Sequence, residues 1–258
     1  MTFSSGQNYS DNPLFKNIDM KITLMMVFCS VTLFLSGCGK SPAGKVASWS
    51  GGGGGKDALG KNSGTLENVT LTDGLAGPAF HFNGSNAFVQ ISDSADLKPK
   101  NITVEAWVEF DVDESPNPSS AGLQTIVFKL NTRDPKQGNF TGYCLCKNGN
   151  HFTFCIGSPA GEQVMADSTT VPQVGVWYQL VGTYDGKDLK LYVNGVQEGR
   201  ANAGFPLDVG ARPLFIGTSG EWFDGKLQGD VNGVTIYRRA LSAGEIKSLY
   251  RTGGKDTL

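Results

Sequence analysis

Two stretches of this 258-residue chain set reactive side chains at short, regular spacing. One is ITVEAWVEF (102–110), with Glu105 and Glu109; the other is GYCLC (142–146), with Cys144 and Cys146, followed by Cys155 in HFTFCI (151–156). Paired carboxylates suggest acid–base work on a glycosidic bond, which needs them about 5–5.5 Å apart for retention and about 6.5–9.5 Å for inversion. Both glutamates fall on one face of a strand, because side chains alternate, but four residues of strand separate them by about 13 Å. That distance excludes this pair as the dyad. Neither His81 nor His151 stands near a Ser, Cys or Asp arrangement that reads as a triad. Zinc would want a second pair beside Cys144 and Cys146, so a disulfide from Cys155 to either partner is the simpler account. With Asn148-Gly149 as a two-residue turn, Cys144 opposes Thr153 and Cys155 opposes Gly142. Cys144 then lies diagonal to Cys155 on one face, near the upper limit for a disulfide.

The remaining cysteines belong to a different chemistry. From Met20 the chain reads MKITLMMVFCSVTLFLSGC, uncharged from Ile22 to Leu35. An apolar run of about 14 residues falls short of the roughly 20 that span a bilayer, which predicts a signal peptide over 20–37. Leu35-Ser36-Gly37-Cys38 resembles the bacterial lipobox. That resemblance implies cleavage before Cys38 and acylation of its thiol, with residues 38–46 as a lipid-anchored linker; more than one acyl chain gives stable anchoring. Residues 1–19 contain Asp11 and Asp19, charges foreign to the start of a signal peptide, and read as an extension from an upstream start codon. Gly39 replaces the Asp that retains many lipoproteins at the inner membrane. The expected location is therefore the bacterial cell envelope, and the outer membrane or surface if the host is Gram-negative.

Elements that could position these groups are almost all strands. AFHF (79–82), AFVQI (87–91), 102–110, QTIVFKL (124–130), 142–146, 151–156, WYQLVGTY (177–184), LKLYVNG (189–195), PLFIG (213–217) and VTIY (234–237) are rich in β-branched and aromatic residues. Gly, Asn, Asp and Pro separate them, and regular spacing of this kind predicts a sandwich or barrel. KNGN (147–150) and VNGV (193–196) signal tight hairpins. Ser242 and Glu245 form a capping box before Ile246, Leu249 and Tyr250, which predicts one short C-terminal helix. The net charge of −2 comes without any basic cluster, which excludes nucleic acid as a partner. No repeat is visible, so residues 47–252 read as one domain and 253–258 as a tail.

Five stretches, in order, resemble the laminin G-like jelly-roll domains of the concanavalin A-like lectin/glucanase superfamily: 49–68, GPAFHFNGSNAFVQISDSADL (77–97), ITVEAWV (102–108), WYQLVGTYDGKDLKLYVNGV (177–196) and VTIYRRALSAGEIKSLY (234–250). The resemblance implies an all-β, two-sheet antiparallel jelly-roll sandwich. It places Trp49, Trp107 and Trp177 at core positions and the glycines 51–55 in the domain's first loop. Glucanases of this superfamily carry an E-x-D-x-x-E strand, which is absent here, so the expectation is a binding domain without enzymatic activity. Glycan recognition or adhesion is the expected role, with a protein partner or a structural role at the surface as alternatives. The resemblance also implies a possible structural Ca²⁺ at Asp57, Asn83 and Asn232, of which only Asp57 keeps the charge. From the residues themselves, the loop Ser219–Gly225 joins the aromatic pair Trp222 and Phe223 to Glu221 and Asp224, an apolar platform with acceptors for sugar hydroxyls.

Overall fold

Apolar residues alternate with polar ones along most strands, and each sheet buries the apolar set against the other. The computed structural model describes residues 42–114, 122–131, 141–158, 160–220 and 225–253. Eight strands form one sheet: β1 (Lys45–Trp49), β3 (Thr70–Gly74), β4 (Gly77–Asn83), β6 (Ile102–Phe110), β11 (Tyr178–Tyr184), β12 (Asp188–Val193), β13 (Val196–Asn202) and β15 (Gln228–Tyr237). Its order is β13-β12-β11-β6-β15-β4-β3, with β1 also paired to β15. Seven strands form the other: β2 (Gly64–Glu67), β5 (Phe88–Ile91), β7 (Leu123–Asn131), β8 (Thr141–Asn148), β9 (His151–Gly157), β10 (Gln163–Asp167) and β14 (Leu214–Ile216), ordered β10-β9-β8-β7-β14-β5-β2. The pairings are antiparallel. This is the jelly-roll-like sandwich of the expected class.

The core lies between the sheets. Ile102, Val104, Ala106, Val108 and Phe110 supply one parity of β6, and Leu145, Phe154 and Ile156 face them from the β8–β9 hairpin. Trp49 is fully buried there and donates its indole N–H to the Asn62 carbonyl at 2.7 Å. The glycine run makes a 3-10 turn over Gly51–Gly53, then enters the left-handed region at Gly54 (φ 57°) and Gly55 (φ 85°). A Cβ on Gly51 would strike the carbonyl of Pro78, so the loop packs on β4 only because its first residue lacks a side chain.

One outer face is roofed. Helix α1 (Ala243–Thr252) starts at the predicted capping box: Glu245 N–H donates to Ser242 Oγ, and Ser242 N–H donates to Glu245 Oε2 at 2.9 Å. Its Ile246 and Leu249, with Leu241, cover Val181, Tyr192 and Tyr237 on the eight-stranded sheet. Trp107 lies under the same roof, stacked on Tyr250 with ring centroids 5.8 Å apart. Trp177 departs from its expected core position: it precedes β11 and is only half-buried.

The β8–β9 turn also differs from expectation. Asn148 pairs with His151, so Gly149-Asn150 form the turn, one residue later than Asn148-Gly149. Only Gly149 takes the left-handed conformation (φ 57°). The shift makes Cys144 the direct partner of Cys155 rather than its diagonal neighbour. At VNGV the expected residues do turn, with Asn194 at φ 51° and Gly195 at φ 78° between Val193 and Val196.

Candidate functional site

On the seven-stranded sheet, the side chains facing away from the core form one transverse row. The register runs Thr65 to Gln90, Gln90 to Phe215, Phe215 to Phe128, Phe128 to Cys144, Cys144 to Cys155 and Cys155 to Met165. Core-facing neighbours such as Val89, Leu214 and Leu145 fix this parity. Phe128, Leu130 and the three cysteines are buried, with Leu123 and Phe215 packed against them.

Around Phe215 the row opens into a groove. One cavity of about 460 Å³ is lined by Gln90, Phe128, Leu130, Arg212, Phe215 and Ser219 among others. A second of about 370 Å³ adjoins it through Gln90, Phe215 and Gly220, and adds Phe88, Thr218 and Lys226. Phe88 and Phe215 meet edge to face, centroids 6.0 Å apart. Arg212 is held in place by donating from Nε to Asn131 Oδ1 at 2.9 Å, while its carbonyl accepts from Lys129 Nζ at 2.6 Å. Aromatic faces beside an amide, hydroxyls and cationic groups make a surface that can stack on a ring and hydrogen-bond its substituents.

The sequence-predicted loop adjoins this groove. Ser219, Gly220 and Lys226 line it, whereas Glu221, Trp222, Phe223 and Asp224 lie outside the described residues, as does Cys38. Sequence reasoning missed Phe88, Phe128 and Phe215. Their signal was available: IVF (126–128) and LFI (214–216) are apolar at consecutive positions, as in strands with both faces covered or in use.

The three positions named for calcium do not converge. Asp57 accepts from the backbone N–H of Ser48, Leu59, Lys61 and Asn62. Burial by itself would raise its pKa, and those donors outweigh burial and hold the carboxyl below its ordinary range. Asn83 Oδ1 accepts from Ser85, Asn86 and Ala87. Asn232 Oδ1 accepts from Ala76, and its Nδ2 donates to Gly77 and Pro78 at the opposite end of β4 from Asn83. Five residues of strand, about 17 Å, separate Pro78 from Asn83. These oxygens organise loops, so the residues do not fit a shared cation. Among the described residues, no group of three His, Cys, Asp or Glu side chains is arranged to hold a metal ion.

The glutamates of β6 separate as well. Glu105 is buried beneath α1 and accepts from Gln179 Nε2 at 2.7 Å and Tyr237 Oη at 3.5 Å, so it is paired rather than solvated. Glu109 lies beyond the roof and directly opposes Asp230, which in turn opposes His81. Here the fold makes a close carboxylate pair that spacing along the chain could not reveal, since directly opposed Cβ atoms lie about 4.5–5.5 Å apart. His81 Nδ1 and Asp230 Oδ1 are 2.8 Å apart. Burial first, then the charges of Asp230 and Asp111, raises the Glu109 pKa. None of the cavities described above touches this cluster.

Two face-to-face antiparallel sheets with a groove on one outer face define the class, a jelly-roll sandwich. Residues 83–247 match the family described as the concanavalin A-like lectin/glucanases superfamily, and the chain belongs to it. No curated protein matches it in sequence. Among solved structures, it is similar to the binding domain of Paraclostridial Mosquitocidal Protein 1, at 16% identity and TM-score 0.66, over 81% of this chain and 52% of that one. It is also similar to domain 4 of AbnA, an extracellular arabinanase from Geobacillus stearothermophilus solved with arabinotriose. That match has 19% identity and TM-score 0.63, over 80% of this chain and 98% of that one. A third is the binding domain of botulinum neurotoxin DC in complex with SialylT, at 12% identity and TM-score 0.63, over 81% and 52%. The chain thus spans about half the length of the toxin binding domains it matches.

Proposed function

We propose that this chain is a lipid-anchored, non-catalytic binding module that takes saccharide in the groove around Phe215. The observation that carries the reading is the juxtaposition of Phe88, Phe128 and Phe215 with Gln90, Thr218, Ser219 and Lys226 on an outer sheet face. Two similar folds solved with a saccharide or SialylT, one of them domain 4 of an arabinanase, support it. Glu221, Trp222, Phe223 and Asp224 join the proposal because the residues flanking them line the groove. Cys38 supplies the anchor, placing the domain at the bacterial envelope; a protein ligand at the same groove is the alternative.

A glycan array probed with the purified protein tests the reading, followed by titration of any hit against Phe215→Ala. Loss of one aromatic anchor should weaken binding by about 1.5–3 kcal/mol. An array without hits, or a hit that Phe215→Ala binds as well as wild type, overturns the saccharide site. Release of reducing sugar from a bound glycan overturns the non-catalytic part. Palmitate labelling that survives Cys38→Ser overturns the anchor.

A further inference from the structure

The row that forms the groove continues into three thiols that the binding reading does not use. Cys144 directly opposes Cys155, and Cys146 opposes Thr153 on the same face. All three are buried among Phe128, Leu130 and one another. Geometry separates the possible pairings. Directly opposed residues have Cα atoms about 4.5–5.5 Å apart, inside the 4.4–6.8 Å range of disulfides. Cys146 and Cys155 are diagonal, about 7–8 Å, just beyond the upper limit of that range. Cys144 and Cys146 are two residues apart on one extended strand, about 6.8 Å, at its far limit.

We propose that Cys144 and Cys155 are a redox modification site, forming a cross-strand disulfide by exchange with a disulfide oxidant while Cys146 stays a thiol. Cys155 is the attacking group. Cys144 is its direct cross-strand neighbour, and Gln163 Nε2 donates to its sulfur at 3.6 Å. These contacts lower the Cys155 pKa against the effect of burial, whereas hydrogen bonding to Cys146 and Cys155, together with burial, pushes Cys144 up. Cys155 also lies on the strand next to the sheet edge, beside the exposed Met165 of β10. The Cys155 thiolate attacks one sulfur of the oxidant, forming a mixed disulfide and expelling a thiolate. Cys144 then loses its proton and attacks Cys155 Sγ, expelling the second thiolate. Two cysteines are oxidised and the oxidant's disulfide is reduced to two thiols.

Glutathione disulfide is the probe. The full chain is equilibrated with it, alkylated and digested with trypsin, which separates peptide 137–147, carrying Cys144 and Cys146, from peptide 148–187, carrying Cys155. The expected product is a cross-link between these peptides with the alkyl group on Cys146. Cys146→Ser should keep the link and Cys144→Ser should abolish it, with both variants first checked for wild-type circular dichroism. A variant that fails this check is replaced by fragment-ion assignment of the wild-type link. A link through Cys146, a stable glutathione adduct on Cys155 in the wild type, or alkylation of Cys144, Cys146 and Cys155 together at saturating oxidant would each overturn the proposal.

Discussion

The two outer faces of the sandwich are built alike and finished differently. On the eight-stranded sheet, Val181, Tyr192 and Tyr237 lie beneath Leu241, Ile246 and Leu249 from the C-terminal segment. On the seven-stranded sheet, the cluster around Phe128 and the three cysteines draws every member from that sheet's own strands, among the described residues. Apolar side chains on an outward parity thus carry two meanings. Where the chain supplies its own cover they extend the core, and where a cleft adjoins them they offer contact area to something else. The polar groups follow the same division: Glu105, under the roof, is hydrogen-bonded to Gln179, whereas Gln90 lines the open cavity.

Truncating the cover should give the largest effect. Leu249→Ala removes a buried side chain from the roof and should cost about 2–5 kcal/mol of stability, read from urea unfolding. Phe215→Ala, on the open face, should cost less than about 1 kcal/mol by the same measurement, although it weakens ligand binding. Comparable losses from the two would erase the distinction between the faces.

Acid should act on the roof next. Hydrogen bonding to Arg239 dominates in lowering the Glu245 pKa from its ordinary 4.5 to about 2, with Ser242 adding to it against partial burial. A depressed carboxylate contributes stability that is present above the unfolded value and lost as pH falls from about 4.5 toward 2. The pair is one-third exposed, so after solvent screening the contribution is below about 1 kcal/mol. Melting temperatures should therefore fall between pH 5 and pH 2.5 more in wild type than in Glu245→Gln.

Beyond the edge of the roof the sign reverses. Glu109, with its pKa raised by burial, Asp230 and Asp111, favours the folded state more when protonated. Glu109→Gln should raise the melting temperature slightly at pH 7, by a few tenths of a kcal/mol in stability. A decrease would show that Glu109 makes a favourable contact as a carboxylate.

Much of this division could be read from the chain. The central strands announce themselves by alternation, as in Ile102–Phe110, whose predicted and observed limits coincide. Five strands did not: β1, β2, β3, β10 and β13. Four of these are the edges of the two sheets. GTLE, TLTDG, QVMAD and VQEGRAN are polar because an edge strand meets water along one side, and each is held by a neighbour rather than by a pattern of its own. The groove was half legible. Composition pointed to the segment whose Ser219 and Gly220 line it, but Phe88, Phe128 and Phe215 come from strands far apart in sequence, and only register makes them adjacent. The same holds for Glu109 and Asp230, and a turn displaced by one residue changed the partner of Cys144.

The row from Gln90 to Met165 is also a ruler. It takes one side chain from each of six successive strands, and neighbouring strands lie about 4.8 Å apart, so it extends about 24 Å with graduations set by the backbone. A polymer lying across the strands meets the accessible graduations, Gln90, Phe215 and Met165, in step only if its own period fits that spacing. A longer or shorter period drifts out of step within a few units. Chain length and pitch, rather than the identity of any single unit, would then govern how tightly a polymer is held.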